Sequence, residues 1–147
     1  MTARILVDAN VVIYSLDGRA PQKQQRCAAW LSALTTVNSL IVSPQVCNEV
    51  FVVAQRKIPA PASELRAAIE GLLIYCDAPL TAVETRRALA LEARWRLHWW
   101  DAVLLASAIS AGCTHLLSED AQSSPIIEGV QIIDPFQVAP EAVLGAT

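Results

Sequence analysis

Short runs of branched apolar residues alternate along the chain with longer segments in which apolar side chains recur at helical spacing. The runs are too short for helices and are typical of buried strands; they span residues 5–7, 40–42, 115–117 and 130–133. Helical spacing predicts helices over residues 21–34, from residue 44 onward, and over residues 63–75, 81–97 and 99–111. This alternation predicts an α/β fold, a three-layer α/β/α sandwich with a central, mainly parallel sheet.

Several of these helices have recognisable boundary chemistry. The Ser–Pro pair at residues 43–44 supplies an N-cap followed by proline at the first helical position. Thr81 and Glu84 have the spacing of a capping box, and Gly112 is placed to end the last predicted helix. Residues 77–80 are predicted to form an extended connection or an edge strand.

Length and composition favour a single domain. The chain has 147 residues, of which 54% are hydrophobic and 17% charged, so a substantial core is expected over residues 1–138. Residues 139–147 have little to bury and are expected to form a C-terminal tail. No apolar run reaches transmembrane length, and Arg4 and Asp8 interrupt the N-terminus too early for a signal peptide. We therefore expect a cytoplasmic protein with no membrane partner.

The cysteines and the net charge narrow the chemistry further. The four cysteines are widely spaced with no CxxC pair, which favours buried reduced thiols over disulfides or zinc. A formal net charge of −3 argues weakly against a nucleic-acid partner. That argument weakens if several of the acids bind metal, because the remaining charge is then slightly positive.

Four acids stand where an acid is unusual. Asp8 directly follows the first predicted strand, and Asp120, preceded by Ser118, follows the third. Ligands of open α/β sheets bind outside the carboxyl ends of the strands, so these two acids are expected in one crevice. Glu49 and Asp101 interrupt the apolar faces of two helices. Each acid also has a simpler explanation, because Asp8 and Asp101 suit helix capping and Glu49 can lie at the edge of its stripe.

A cluster of these acids points to metal chemistry. Two carboxylates about 4 Å apart repel by roughly 4 kcal/mol at an effective dielectric constant near 20, so a cluster requires cations or bound protons. Oxygen ligands without His or Cys select Mg²⁺ or Mn²⁺ over zinc. One or two such ions can activate water and stabilise the leaving oxygen of a phosphodiester.

Two further groups of side chains have both a functional and a structural interpretation. The predicted helix over residues 81–97 has four arginines that either form a phosphate-holding rim or lie on a solvated face; they are Arg86, Arg87, Arg94 and Arg96. Trp95, Trp99 and Trp100 lie close together in the sequence and either form a surface for a protein partner or pack in the core. We expect core burial for at least two of the three tryptophans.

Four blocks of sequence, in order, resemble the PIN-domain ribonucleases, and among them the VapC-type toxins of bacterial toxin–antitoxin pairs. The blocks are VDANVVIY at 7–14, SPQVCNE at 43–49, WDAVLLASA at 100–108 and LLSED at 116–120. The resemblance covers residues 5–136. It implies a PIN-like fold, Mg²⁺-dependent endonucleolytic cleavage of RNA, often tRNA or rRNA, inhibition by a cognate antitoxin, and a homodimer.

The resemblance also assigns roles to individual residues. It implies that the catalytic and metal-binding quartet consists of four acids, which are Asp8, Glu49, Asp101 and Asp120. Asn10 and Ser118 become polar supports of that quartet. Some relatives have a further acid shortly after the fourth block, where this chain has Gln122 and Ser123. This departure puts a full second metal site in doubt and leaves the first unaffected.

Two other functions remain open from the residues. One is a haloacid-dehalogenase-like phosphatase or receiver-like domain in which Asp8 is the nucleophile or phosphoacceptor and Ser43 binds phosphate. Asn10 opposes it, because that phosphatase pattern has a second Asp there, and the two lysines, Lys23 and Lys57, are poorly placed. The other is a catalytically inactive PIN-like module that only binds a partner protein, which the intact quartet opposes.

Overall fold

A five-stranded sheet lies at the centre of the computed structural model, which describes residues 3–119 and 125–145. The strand order is β2-β1-β3-β5-β4. β1 pairs in parallel with β2 and β3, and β3 pairs in parallel with β5. The strands are β1 (Ile5–Val7), β2 (Leu40–Ile41), β3 (His115–Leu117), β4 (Ile126–Ile127) and β5 (Val130–Ile133). The predicted α/β/α sandwich with a mainly parallel sheet is confirmed.

Seven helices within residues 3–119 and 125–145 flank the sheet. In chain order they are α1 (Ala9–Leu16), α2 (Pro21–Thr36), α3 (Pro44–Lys57), α4 (Ala62–Leu73), α5 (Ala82–Trp95), α6 (Trp99–Ser110) and α7 (Pro140–Leu144). α5 packs against α6, α1 packs against α2 and α3, and α3 packs against α4. No described helix is both long enough and apolar enough to cross a bilayer.

The predicted capping hydrogen bonds are present at the starts of α3 and α5. The Ser43 hydroxyl accepts a hydrogen bond from the Val46 amide at 3.3 Å, and the Thr81–Glu84 capping box is complete. Arg96 adopts a left-handed conformation and ends α5 at Trp95. The predicted extension of α5 to residue 97 is therefore wrong.

Two elements differ from the predicted pattern. The two-residue strand β4 is antiparallel to β5, and the pair is joined by Glu128 and Gly129, both at positive φ as in a tight hairpin turn. Residues 77–80 form the predicted connection and not an edge strand, and the neighbouring Cys76 makes a single bridge to Val42. The C-terminal segment contains α7, which contacts α2.

Trp30 is the largest fully buried side chain, and it joins the core to the C-terminal segment. Its indole N–H donates to the carbonyl oxygens of Pro135 and Val138, both at 3.1 Å. The side chain thus fills the core and also provides a partner for two backbone carbonyls that follow β5.

Replacing Trp30 with Phe removes the indole N–H and leaves these carbonyl oxygens without their donor. We expect the free energy of unfolding to fall by about 1–3 kcal/mol, because unpaired buried polar groups are costly. Urea denaturation measures the change. Trp95→Phe is the matched control, because Trp95 is 42% exposed and its replacement is expected to change stability by less than about 0.5 kcal/mol. Equal effects of the two substitutions would contradict the proposed role of Trp30.

Candidate active site

An open groove of about 740 Å³ lies where β1 ends and where α1, α3 and α6 approach one another. Three of the four predicted acids line it, together with Asn10, and each acid comes from a different part of the fold. The lining residues are Asp8, Asn10, Pro44, Gln45, Asn48, Glu49, Val52, Val53, Arg56, Leu80, His98, Trp100 and Asp101. The fourth predicted acid, Asp120, lies outside the described residues, as do Gln122 and Ser123.

Asp8 is the most buried of the three carboxylates in the groove. It occupies the N-cap position of α1, yet its side chain makes no capping hydrogen bond, so helix capping does not explain it. Its Oδ2 accepts a hydrogen bond from the Ser118 hydroxyl at 3.1 Å. Ser118 follows β3 and is 8% exposed, so this hydrogen bond is largely shielded from solvent.

Burial sets the protonation behaviour of Asp8. It raises the pKa of the carboxyl from 3.8 to about 6. The hydrogen bond from Ser118 and one from the Ala9 backbone lower the pKa, whereas the charges of Asp101 and Glu49 raise it. Asp8 therefore lies within electrostatic range of both Asp101 and Glu49.

Glu49 is held by a neighbour one helical turn earlier. The Gln45 side-chain amide donates to Glu49 Oε1 at 2.8 Å, which fixes the direction of the carboxylate. Gln45 is 9% exposed, and its own Oε1 is buried without a hydrogen-bond partner among the described atoms. Val46 and Val50 are buried in the core, whereas Glu49 is half-buried, so the acid lies at the edge of the apolar stripe.

Asp101 lies in the first turn of α6 and is exposed to the groove. Leu104, Leu105 and Ala108, which follow Asp101 at helical spacing, are buried in the core, so this helix turns its acid outward at its beginning. Desolvation by the groove walls raises the pKa of the Asp101 carboxyl, and the nearby His98 lowers it. Its side chain is therefore accessible to a ligand in the groove.

The donor set suits Mg²⁺ or Mn²⁺ in its chemistry. The carboxylates that line the groove offer hard oxygen ligands, and their mutual repulsion is relieved by a cation. Within residues 3–119 and 125–145, however, no three His, Cys, Asp or Glu side chains are gathered closely enough to form a metal site. A metal ion would therefore have to draw the side chains of Asp8, Glu49 and Asp101 together.

Glu119, directly after Ser118, links the end of β3 to α1 and α2. Its carboxylate accepts a hydrogen bond from the Tyr14 hydroxyl at 3.0 Å and lies 3.5 Å from Lys23 Nζ. The same ammonium lies 4.7 Å from the centre of the Tyr14 ring and 5.4 Å from that of Phe136. These contacts hold the strand exit from which Ser118 reaches Asp8.

The structure does not bring the predicted arginines into the groove. Their side chains lie exposed on α5 and at its end, outside the groove lining; they are Arg86, Arg87, Arg94 and Arg96. Arg56 of α3 lines the groove instead. It lies seven residues after Glu49, two helical turns away on the same face, and this spacing would have identified it.

The tryptophans also differ from expectation. Trp100 is 54% exposed and lines the groove, Trp95 is 42% exposed, and Trp99 is half-buried. Core burial of at least two of the three is therefore wrong. His98 lines the groove too, three residues before Asp101.

Ser43 does not support the phosphatase alternative. It is fully buried, and its hydroxyl caps α3 by accepting from Val46. A phosphate in the groove would not reach it without unfolding the start of the helix.

Comparison with known proteins identifies the fold. The family model described as the PIN domain matches residues 5–124. A toxin–antitoxin complex from Klebsiella pneumoniae is similar at a TM-score of 0.62 and 21% identity, covering 89% of this chain and 97% of that one. VapC20 of Mycobacterium tuberculosis, named as a sarcin–ricin loop cleaving toxin, is similar at 0.61 and 17%, covering 80% and 91%. VapBC2 from Rickettsia felis, bound to a DNA fragment from their promoter, is similar at 0.63 and 12%, covering 88% and 97%. No curated protein matches the chain.

The raised pKa of Asp8 predicts a pH-dependent stability in the absence of metal. Between pH 3.8 and about 6 the folded state holds a proton that the unfolded chain releases, so the free energy of unfolding falls as pH rises through this window. Asp8→Asn removes this penalty. We expect it to stabilise the protein at pH 7 in EDTA by up to about 3 kcal/mol, with little difference below about pH 4. Urea denaturation across this range measures it, and a destabilised variant at pH 7 would show that Asp8 is structural.

Proposed function

The chain belongs to the PIN domain family, and from this premise we propose that it is a metal-dependent endoribonuclease that acts as the toxin of a toxin–antitoxin pair. One observation carries the proposal: Asp8, Glu49 and Asp101, from separate elements, line one groove at the carboxyl end of β1. Asp120 is the proposed fourth member of this catalytic and metal-binding quartet.

The chain's own residues prepare the site for a cation. Ser118 donates to one oxygen of Asp8 and leaves its other oxygen available as a ligand. Gln45 does the same for Glu49. Asp101 is exposed to the groove and is free to turn toward an ion, and Asn10 offers an amide beside Asp8. These contacts orient the ligands before metal arrives, as supporting hydrogen bonds do in metal sites.

Mg²⁺ or Mn²⁺ would be held by the oxygens of Asp8, Glu49, Asp101 and Asp120. When bound, the ion supplies positive charge that polarises water and the phosphodiester. The carboxylates hold that charge in place at the floor of the groove. The open groove admits the RNA backbone, and Arg56 lies on the same lining to face its phosphates.

The proposed partners are a cognate antitoxin and a second copy of this chain. The names of the similar structures support an antitoxin, because two of them are toxin–antitoxin complexes. Exposed apolar side chains on α3 and at the end of α4 offer contact area, among them Val52 at 53% and Ile74 at 80% exposure. We propose that the protein acts in the cytoplasm, where such an RNA substrate and antitoxin meet.

Asp101→Asn separates catalysis from folding. The amide keeps the size of the acid and loses one charge and one ligating oxygen, and the exposed side chain packs no core. In EDTA we expect an unchanged or raised melting temperature. Mg²⁺ or Mn²⁺ should raise the melting temperature of the wild type, because a ligand that binds the folded state stabilises that state. The increase should be smaller for the variant, because it has lost one of the oxygens that would bind the ion.

RNA cleavage is measured on the same samples with total RNA and mapping of the cut ends. We expect cleavage by the wild type only with metal, and a loss of at least about a hundredfold in Asp101→Asn. Glu70→Gln, an exposed acid on α4 outside the groove, is the matched control and should cleave normally. A destabilised Asp101→Asn that still cleaves RNA would contradict the catalytic assignment, and a wild type that never cleaves would favour a binding module.

The homodimer is tested by sedimentation of the purified chain over a range of concentrations. We expect a dimer that dissociates on dilution. A monomer at the highest concentration reached would contradict this part of the proposal and leave the nuclease assignment unaffected.

A further inference from the structure

The Trp100 indole is exposed to solvent, which is unfavourable for such a large apolar side chain. It is 54% exposed, lies in the first turn of α6, and forms part of the groove wall beside the carboxylates. Its chain neighbour is Asp101, and both residues line the groove of the proposed reaction site. An exposed aromatic ring in a concave site is typical of ligand contact.

The rest of that wall is chemically suited to a nucleotide. Arg56 provides a cation, and Asn10 and Asn48 provide exposed amides that can both donate and accept. Val52 and Leu80 add apolar area to the same lining. The aromatic face of Trp100, the cation of Arg56 and the Asn10 amide share one groove lining and match the base, the phosphate and the base edge of an RNA strand, whereas the Asn48 amide already donates to the Pro44 carbonyl.

We propose that Trp100 and Arg56 form a subsite for one unpaired nucleotide next to the cleaved bond, in which the indole stacks on the base and the guanidinium contacts a phosphate. This inference rests on the proposed ribonuclease function. The indole requires a base with a free face, and a base inside a duplex has both faces covered. The subsite therefore selects single-stranded or looped RNA, and it sets a preference at the position it contacts.

The position of the indole favours RNA over a protein partner. The same lining combines an aromatic ring, a guanidinium and three carboxylates. A nucleotide can use all of them, because its base stacks on the ring, its phosphate contacts the guanidinium and the carboxylates would hold a metal ion beside that phosphate, whereas an apolar protein contact uses only the ring.

Binding is tested in Mg²⁺ with each variant made in the cleavage-deficient Asp101→Asn background, using a short single-stranded RNA and a hairpin whose stem contains the same sequence. Trp100→Ala is expected to weaken binding of the single strand by about 5- to 150-fold, the range of base–aromatic stacking. Trp100→Phe should retain most of the affinity. Trp95→Ala, which removes an exposed tryptophan outside the groove, is the matched control and should bind normally.

The contact of Arg56 with a phosphate is tested separately, through the salt dependence of RNA binding. Arg56→Gln should reduce the slope of log affinity against log salt by about 0.7, the value for one phosphate contact on a single strand. Trp100→Ala should leave that slope unchanged, because stacking releases no counterions. Arg66→Gln, an exposed arginine of α4 outside the groove, is the control for general charge loss.

Cleavage kinetics with metal then distinguish the two proposals. If the wild type cleaves RNA and Trp100→Ala raises KM more than it lowers kcat, the subsite is supported. If the wild type cleaves RNA while Trp100→Ala binds and cleaves as well as the wild type, the subsite is overturned, the ribonuclease stands, and the indole is left for a protein partner. If the wild type cleaves no RNA, the ribonuclease proposal itself fails.

Discussion

The short strand β1 is the constraint on which the rest of the structure depends. It lies between β2 and β3 and pairs with both in parallel, and its three side chains are fully buried. Its register is specified because a slip of one residue would move the charged Asp8 into a fully buried strand position. Where it ends, the backbone of Asp8 donates to Leu117 of β3, which brings the first acid beside Ser118.

Asp8 therefore couples folding to chemistry. The packing that positions β1 also desolvates the carboxylate, and burial is the largest cause of its raised pKa. Hydrogen bonding from Ser118 offsets only part of that cost. A metal site requires carboxylates that are unfavourable without a cation and favourable with one. A change at Asp8 that raises stability in the absence of metal is therefore expected to lower affinity for the ion.

The sequence predicted the layers and much of the groove, because both depend on local patterns. Buried strands appear as apolar runs, and Asp8, Glu49 and Asp101 interrupt such patterns. Arg56 and Trp100 were not assigned to the groove, because neither breaks a pattern on its own element; the seven-residue spacing from Glu49 was the one local signal for Arg56, and only the assembled fold brings α3 and α6 to one groove. Asp120 was predicted from a strand exit and stays a prediction.

Strand β4 was also not predicted, because no local sequence pattern marks it. Two residues are too few to form a periodic pattern, and the strand exists because Glu128 and Gly129 adopt positive φ and fold it back onto β5. The end of α5 is similar, since Arg96 adopts the left-handed conformation that glycine usually provides, and no helix-breaking residue marks it in the sequence. Local sequence patterns therefore predicted the longer helices and strands well, but not a two-residue strand or a helix end without a helix-breaking residue.

The outermost strands of the described sheet, β2 and β4, are each two residues long. Such short edges expose few free backbone donors and acceptors, so another extended chain has almost no ladder to join. This protects a chain that is more than half hydrophobic from edge-to-edge aggregation. It also restricts how a regulator can attach: β-augmentation is disfavoured, and recognition must use helical surfaces or the groove itself.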